Sequence, residues 1–485
     1  TFQEDGNTFV NMFSGEWSGT SKLNKYDLSS MYFNYAGSIY SQNFPIIDIV
    51  MNTMLKQEES TQGRHFFRMF NGMGDDQRAA AYLNGKSFEQ AVLDNTLSTE
   101  VFYEMMKLKG VYLRNYINSR LSSNEFKEFM AEFMKKYQFQ EVNFTRLNSE
   151  FTRKFHFNLM DFIPNWYTIN STPRFIVKGV DADQVEIGDY TKYIVKFQVY
   201  NPTNVEGVIS VNVEEGGSMF PGGPRGRRGR AAQMESKPAK NYIIEPQKYK
   251  EIRILCDERP SNLTINTNIS QNLPSTIMQN FAKVTTTTTD TVTGIFDSNA
   301  ALFTFNPKEI TVDNEDPGFR IIESNQKNKL QSFFKKESED KYKNLNFWMP
   351  PSKWTATIGV NYYGDYINSA VYKKSGSGSN KTEWTTQIQI PGFYEVFVYT
   401  SELPMMGWRR RGSEEKKMQY YTVKHDDGEE EISVETGRGR QGWMTLGSFY
   451  FSAGEAKITL SDKGSESNQI IFADAVKWVY TNNNK

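Results

Sequence analysis

The sequence predicts a multidomain protein of the α plus all-β class: an N-terminal helical domain followed by two antiparallel β-sandwich domains. Three observations predict it. Apolar residues recur at helical spacing up to about residue 167, the period falls to two near Pro173, and a threonine-rich stretch separates two strand-rich halves beyond that point. A chain of 485 residues, at about 100–200 residues per domain, leaves room for this arrangement.

The clearest helix opens at Ser122, with Glu125 three residues later in capping-box spacing. Phe126, Phe129, Met130, Phe133, Met134 and Tyr137 then fall on one face, with Lys127, Glu128, Glu132, Lys135 and Lys136 between them. This stripe reads as core. A helix from near Ser98 to Leu121 precedes it, and one carrying Leu147, Phe151 and Phe155 follows. The helical domain is placed at residues 1–171 and a β-sandwich at 172–275, on strands such as Tyr193 to Val199 and Val208 to Val213. The loop from Gly216 to Lys240, with Arg225, Arg227, Arg228 and Arg230, reads as a solvated cationic tip. Residues 276–305, which include Thr285 to Thr289, read as a linker, with an extra strand as the competing reading. Residues 306–485 are all-β: Asp427-Gly428 sits between two strand patterns as a hairpin turn, and Ala456 to Ser461 alternates.

Composition narrows function. Lys and Arg total 56 against 57 Asp and Glu, so there is no basic excess of the kind nucleic-acid binding favours. No run of about 18 apolar residues predicts a membrane span. The single cysteine, Cys256, lies in an apolar strand pattern and reads as core. The start at Thr1-Phe2-Gln3-Glu4 reads as a mature or excised piece whose export signal has been removed, so a periplasmic, cell-surface or extracellular location is expected.

No catalytic motif, metal ligand set or cofactor site is predicted. The three histidines, His65, His156 and His425, make no HExxH, and there is no GxSxG elbow. The stretch from Gly376 to Thr382 lacks the glycine before Lys381 that a phosphate loop needs. Paired carboxylates for glycoside cleavage stay open, because their separation is a three-dimensional quantity.

Two stretches resemble known families. Lys109-Gly110-Val111-Tyr112-Leu113, the helix from Phe126 to Tyr137, Asp161-Phe162 to Trp166-Tyr167 with Pro173-Arg174-Phe175, and Pro260 to Asn266 with Asn272-Leu273-Pro274 appear in the order found in M1-type zinc aminopeptidases. The resemblance covers the end of that family's catalytic domain and the sandwich after it. Active members add HExxH, a downstream glutamate and a tyrosine two residues before the K-G lysine; here that last position is Lys107. The resemblance therefore implies a peptidase-like part without catalysis of its own, or the tail of an active zinc aminopeptidase or permease-linked peptidase whose catalytic residues lie upstream.

The second resemblance covers residues 307–481. Ile310 to Phe319, Pro391 to Val398, Tyr421 to Gly428, Trp443 to Phe449 and Ala473 to Val479 are similar, in order, to the golvesin and xanthan-lyase carbohydrate-binding-like domain of secreted bacterial proteins. The chain departs by a Lys- and Glu-rich insertion from Ser324 to Lys343 and by a loop from Met405 to Arg411. The resemblance implies a scaffold or adhesion role with a polysaccharide or cell-envelope glycan as partner, an envelope protein being the other candidate; a pure assembly module without sugar affinity is the rival. Sugars lie on exposed aromatic faces beside polar groups. The candidate glycan contacts are Trp354, Tyr362, Tyr363, Trp384 and Trp408, with Arg409 and Arg410 for an acidic glycan. Trp443 and Trp478 are assigned to the core, and Asp474 to a buried hydrogen-bond network.

Overall fold

The computed structural model describes residues 39–47, 49–51, 74–137, 140, 142–216, 239–281, 284, 286–323, 341–401, 417–437 and 440–481. An N-terminal helical region is followed by β-sandwiches, as the sequence predicts.

The helices are α1 (Asp75–Leu83), α2 (Phe88–Leu93), α3 (Thr99–Asn118), α4 (Ser123–Lys136), α5 (Phe144–Phe155) and α6 (Ile163–Thr168). Helix α4 starts where the capping box places it. The Glu125 amide donates to Ser122 Oγ at 3.3 Å, and the Ser122 amide donates to Glu125 Oε2 at 2.9 Å. Phe126, Phe129, Met130 and Phe133 are buried, and they meet Leu147 and Phe151 of α5 in one core with Phe88, Leu113 and Trp166. Aromatic edges supply much of this contact, as in Phe129–Phe151 at 5.3 Å between centroids. Val208 and Ile269, from the β region, join the same core, and Asn115 Nδ2 donates to Asn268 Oδ1 at 2.8 Å. The helices thus dock directly on the sandwich behind them.

That sandwich contains β3 (Ile176–Ile187), β4 (Tyr190–Tyr200), β5 (Gly207–Glu215), β6 (Lys240–Ile244), β7 (Tyr249–Cys256), β8 (Pro260–Asn266), β9 (Thr276–Asn280), β10 (Thr287–Thr288) and β11 (Gly294–Asp297), after two short strands, β1 (Ile39–Tyr40) and β2 (Val142–Asn143), that pair beside the helices. The order β10-β3-β4-β7-β11 faces β6-β5-β8-β9 across Phe197, Ile209, Ile252, Cys256 and Ile265. Residues 276–305 differ from the expected linker. β9 pairs with β8, β10 with β3 and β11 with β7, and Phe303 packs on Tyr200 and Tyr249 at 5.7 and 5.3 Å. β-Branched threonines suit a strand, and the open edges of both sheets supply backbone partners for them.

Beyond Phe305 come β12 (Glu309–Val312), β13 (Phe319–Ile322), β14 (Thr355–Ile358), β15 (Ser369–Lys374), β16 (Lys381–Ile388), β17 (Gly392–Thr400), β18 (Lys417–His425), β19 (Gly428–Thr436), β20 (Gly442–Phe451), β21 (Gly454–Gly464), β22 (Ile470–Ala473) and β23 (Val476–Thr481). Two sheets, β12-β23-β17-β20 and β13-β16-β21-β18-β19, enclose Trp384, Tyr394, Val396, Ile458 and Trp478, and a third, β14-β15-β22, borders them. The β18–β19 hairpin turns at Asp427-Gly428, with Gly428 at φ 131°, where a side chain is disfavoured. This part meets the sandwich through backbone bonds, Leu273 N to Tyr366 O at 2.9 Å and Asn368 N to Leu273 O at 2.7 Å. The Arg174 guanidinium lies 4.0 Å over the Tyr366 ring beside them.

Candidate glycan interface

The site is built by strand alternation in the four-stranded sheet. In β17, Tyr394, Val396 and Val398 point inward and are fully buried, so Phe393, Glu395, Phe397 and Tyr399 face outward. Cross-strand register places Trp443 opposite Tyr399, Thr445 opposite Phe397 and Tyr450 opposite Phe393, with a bulge between Val396 and Phe397. On the other side Lys477 of β23 lies opposite Phe397. The outer face of the sheet therefore carries a row of partly exposed rings.

One end of the row is a three-ring cluster. Tyr363, delivered by the loop between β14 and β15, sits 5.1 Å from Trp443 and 5.7 Å from Tyr399, and Tyr399 and Trp443 are 5.3 Å apart in edge-to-face geometry. Lys477 Nζ lies 4.6 Å over Trp443 and pairs with Glu309 Oε1 at 3.3 Å. Burial, with the nearby Asp474 charge, pushes the Tyr399 phenol up to about 12, so it stays a neutral hydroxyl. Phe393 and Tyr450, 5.4 Å apart, continue the row at the far end of the strand, about 20 Å from Tyr399 at about 3.3 Å per residue.

Carboxylates gather beside Tyr363. The Tyr363 amide donates to both carboxylate oxygens of Asp474, at 3.3 and 3.2 Å, and Ser401 Oγ donates to Asp474 Oδ2 at 3.3 Å. Burial raises the Asp474 carboxyl well above the ordinary range, and the Asp313 charge adds to the effect. Burial likewise raises Asp313 to about 8, helped by Asp316 and Glu315. Tyr363 is raised by burial and by Asp365 and Asp313. Two segments far apart in sequence, around Asp313 and around Asp474, thus meet at the three-ring end. Among the described residues, no group of three or more His, Cys, Asp or Glu side chains is placed to hold a metal ion.

The residues singled out from sequence fare differently. Trp354, Tyr362 and Trp384 are buried, at 8, 7 and 1% exposure, and cannot offer a ring face to a sugar. Trp384 is wedged between Phe319 and Tyr421, and its indole N–H donates to Asp474 O at 3.0 Å. Tyr362 packs on Phe472 in a small cluster with Tyr372. A domain this aromatic uses these rings as interior volume. Among the described residues of that set, Tyr363 reaches the outer face. Trp408, Arg409 and Arg410 lie outside the described residues, as do 217–238 of the cationic loop and 324–340 of the insertion. Trp478 is core as expected, whereas Trp443, also expected in the core, is on the outer face. The signal that would have found Tyr399 and Phe397 was in the sequence: aromatics at 393, 397 and 399 occupy the strand phase opposite to Tyr394, Val396 and Val398. Lys107 pairs with Glu104 at 2.7 Å on α3.

Residues 344–480 match the Golvesin C-terminal domain. The golvesin-type segment holds the aromatic row, the Tyr363 loop and Asp474, while Asp313 and Asp316 lie outside it on the N-terminal side. No curated protein sequence matches the chain. Among solved structures, a Paenibacillus xanthan lyase is similar at 14% identity, over 64% of this chain and 26% of that chain, with a TM-score of 0.25. A family 35 carbohydrate-binding module from Clostridium thermocellum is similar at 13% identity, over 35% of this chain and 98% of the module, with a TM-score of 0.22. The chain spans about a quarter of the xanthan lyase's length, 26%.

Proposed function

We propose that the golvesin-type domain binds a glycan on the outer face of its four-stranded sheet, and that the protein acts outside the cytoplasm as a scaffold or adhesion module. The observation that carries the reading is the Tyr363–Tyr399–Trp443 cluster, three rings held partly exposed on a rigid sheet with hydroxyl and ammonium groups beside them. Such rings take the apolar face of a pyranose, and the neighbouring polar atoms take its hydroxyls. The carboxyl groups of Asp313, Asp316 and Asp365 lie near Tyr363, with Glu315 beside Asp313, and bear on which ligand the site takes. Raised by burial to about 8, Asp313 stays largely protonated near neutral pH and, with Asp316, also raised by burial, offers hydroxyl donors and acceptors, which suits a neutral glycan.

Isothermal titration of the full chain with neutral and acidic oligosaccharides tests this. Saturable binding of a neutral glycan, lost in Trp443→Ala, is expected; its absence across neutral glycans removes the proposal. The helical and first sandwich parts enter as the peptidase-like body of the same envelope protein, supported by the ordered motifs between Val101 and Pro274. Cleavage of an aminoacyl reporter by the purified chain, abolished by chelation and restored by zinc, would replace the scaffold role with an enzymatic one.

A further inference from the structure

A cavity of about 40 Å³ lies where the helices meet the first sandwich, walled by Lys109, Tyr112, Trp166, Thr172, Glu206 and Ile269. At about 10–15 Å³ per water on this measure, it has room for about three waters or one small polyatomic ion. Its walls are unusual in polarity. Lys109, 3% exposed, donates from Nζ to Trp166 O at 2.5 Å and lies 5.2 Å over the Trp166 ring. Among the described residues no carboxylate reaches its ammonium, and burial pulls that group down to about 7. Trp166 Nε1 and Thr172 Oγ1, on residues 2 and 3% exposed, have no hydrogen-bond partner. A buried donor left unmet is destabilising, and three donor-bearing side chains border one small space.

We propose that this cavity is a binding site for a small monocarboxylate of formate or acetate size. Its two oxygens meet the donors of Lys109, Trp166 and Thr172, and a methyl group rests on Ile269 and Phe162 in the apolar part of the wall. With room for about three waters the space is too small for a dicarboxylate, and Glu206, half-buried, also borders it. Bound anion favours the charged form of Lys109, so binding takes up a proton at and above pH 7. The other titratable groups near the cavity, Tyr112, Tyr116 and Glu206, are each raised by burial, and the Arg120 charge opposes that rise at Tyr116 and Glu206.

The test is isothermal titration of the full chain at pH 7.5 and constant ionic strength with sodium acetate, formate, malonate and chloride, in two buffers of different ionisation enthalpy. Saturable acetate or formate binding with proton uptake is expected, weakened at least about tenfold by Lys109→Met and by the near-isosteric Thr172→Val, and unchanged by Trp443→Ala. Circular dichroism of each variant separates lost binding from lost fold, and Thr172→Val keeps the test valid should Lys109→Met unfold. Absence of saturable carboxylate binding, equal affinity for chloride or malonate, or acetate binding indifferent to both variants would overturn the proposal. The Trp443→Ala arm keeps its outcome distinct from that of the glycan reading.

Discussion

Replacing Lys373 by methionine removes the cation from a buried ion pair and leaves its anion behind. Lys373 of β15 and Asp462 of β21 pair with side-chain exposures of 4 and 0%. Asp462 also accepts from Asn380 Nδ2 at 2.9 Å and from the Gly378 amide at 2.7 Å, so one carboxylate organises the loop between β15 and β16. Breaking a buried pair on one side costs about 3–5 kcal/mol. The two hydrogen bonds that survive keep the carboxylate partly solvated, which places the expected loss for Lys373→Met near the lower end, about 3 kcal/mol. Asp462→Asn should cost a similar amount by stranding the ammonium, and the double variant should lose less than the sum, with a coupling of about 2 kcal/mol. Multidomain chains commonly unfold in parts, so the measurement is hydrogen exchange on peptides from β15, β16 and β21, read by mass spectrometry. The pH dependence has a definite sign. Burial pushes the Asp462 carboxyl up, but hydrogen bonds from Lys373 and Asn380 outweigh it and hold the group below its ordinary value. Its contribution is therefore full above about pH 4 and disappears as pH falls through the lowered folded value. A Lys373→Met loss below about 1 kcal/mol, or strictly additive single losses, would refute the reasoning.

Trp443→Ala should lower glycan affinity by up to about tenfold, since a stacked ring contributes about 0.5–1.5 kcal/mol, and titration calorimetry reads the change. Asp474→Asn should flatten a pH effect. Asp474 and Asp313 are both raised in the folded state, Asp313 to about 8, so stability from this pair is greatest in acid and declines as pH rises from the ordinary carboxylate value towards about 8. In Asp474→Asn that decline should flatten, as monitored by thermal unfolding from pH 5 to 8.5; an unchanged slope would mean that burial does not raise Asp474. Ser122→Ala should cost the helical region about 1 kcal/mol by removing the acceptor for the Glu125 amide, seen as faster exchange in the first turn of α4.

Much of the architecture was legible because local chemistry announces itself locally. Ser122 and Glu125 mark the start of α4, Phe129 and Phe133 its buried face, and Asp427-Gly428 the β18–β19 turn. Elsewhere the same residue types supported two placements. Thr287 and Thr288 read as linker until β3 offered an edge to pair with. Trp384 and Trp443 are both tryptophans in strands, yet one is sealed between sheets and the other stands on the outer face. Neighbouring side chains do not distinguish those outcomes; the partner strands and the covering sheet do.

By itself the sequence determined the period of each segment, the caps and turns that bound them, and the ordered motifs of a golvesin-type domain. Only the tertiary structure decided which rings remain open to a ligand, which carboxylates from distant segments crowd around Tyr363, and that Lys109 faces a cavity with donors left unmatched. Helical and strand periodicity is a property of neighbours a few positions apart, whereas exposure, charge proximity and empty volume arise between segments that sequence order keeps far from one another.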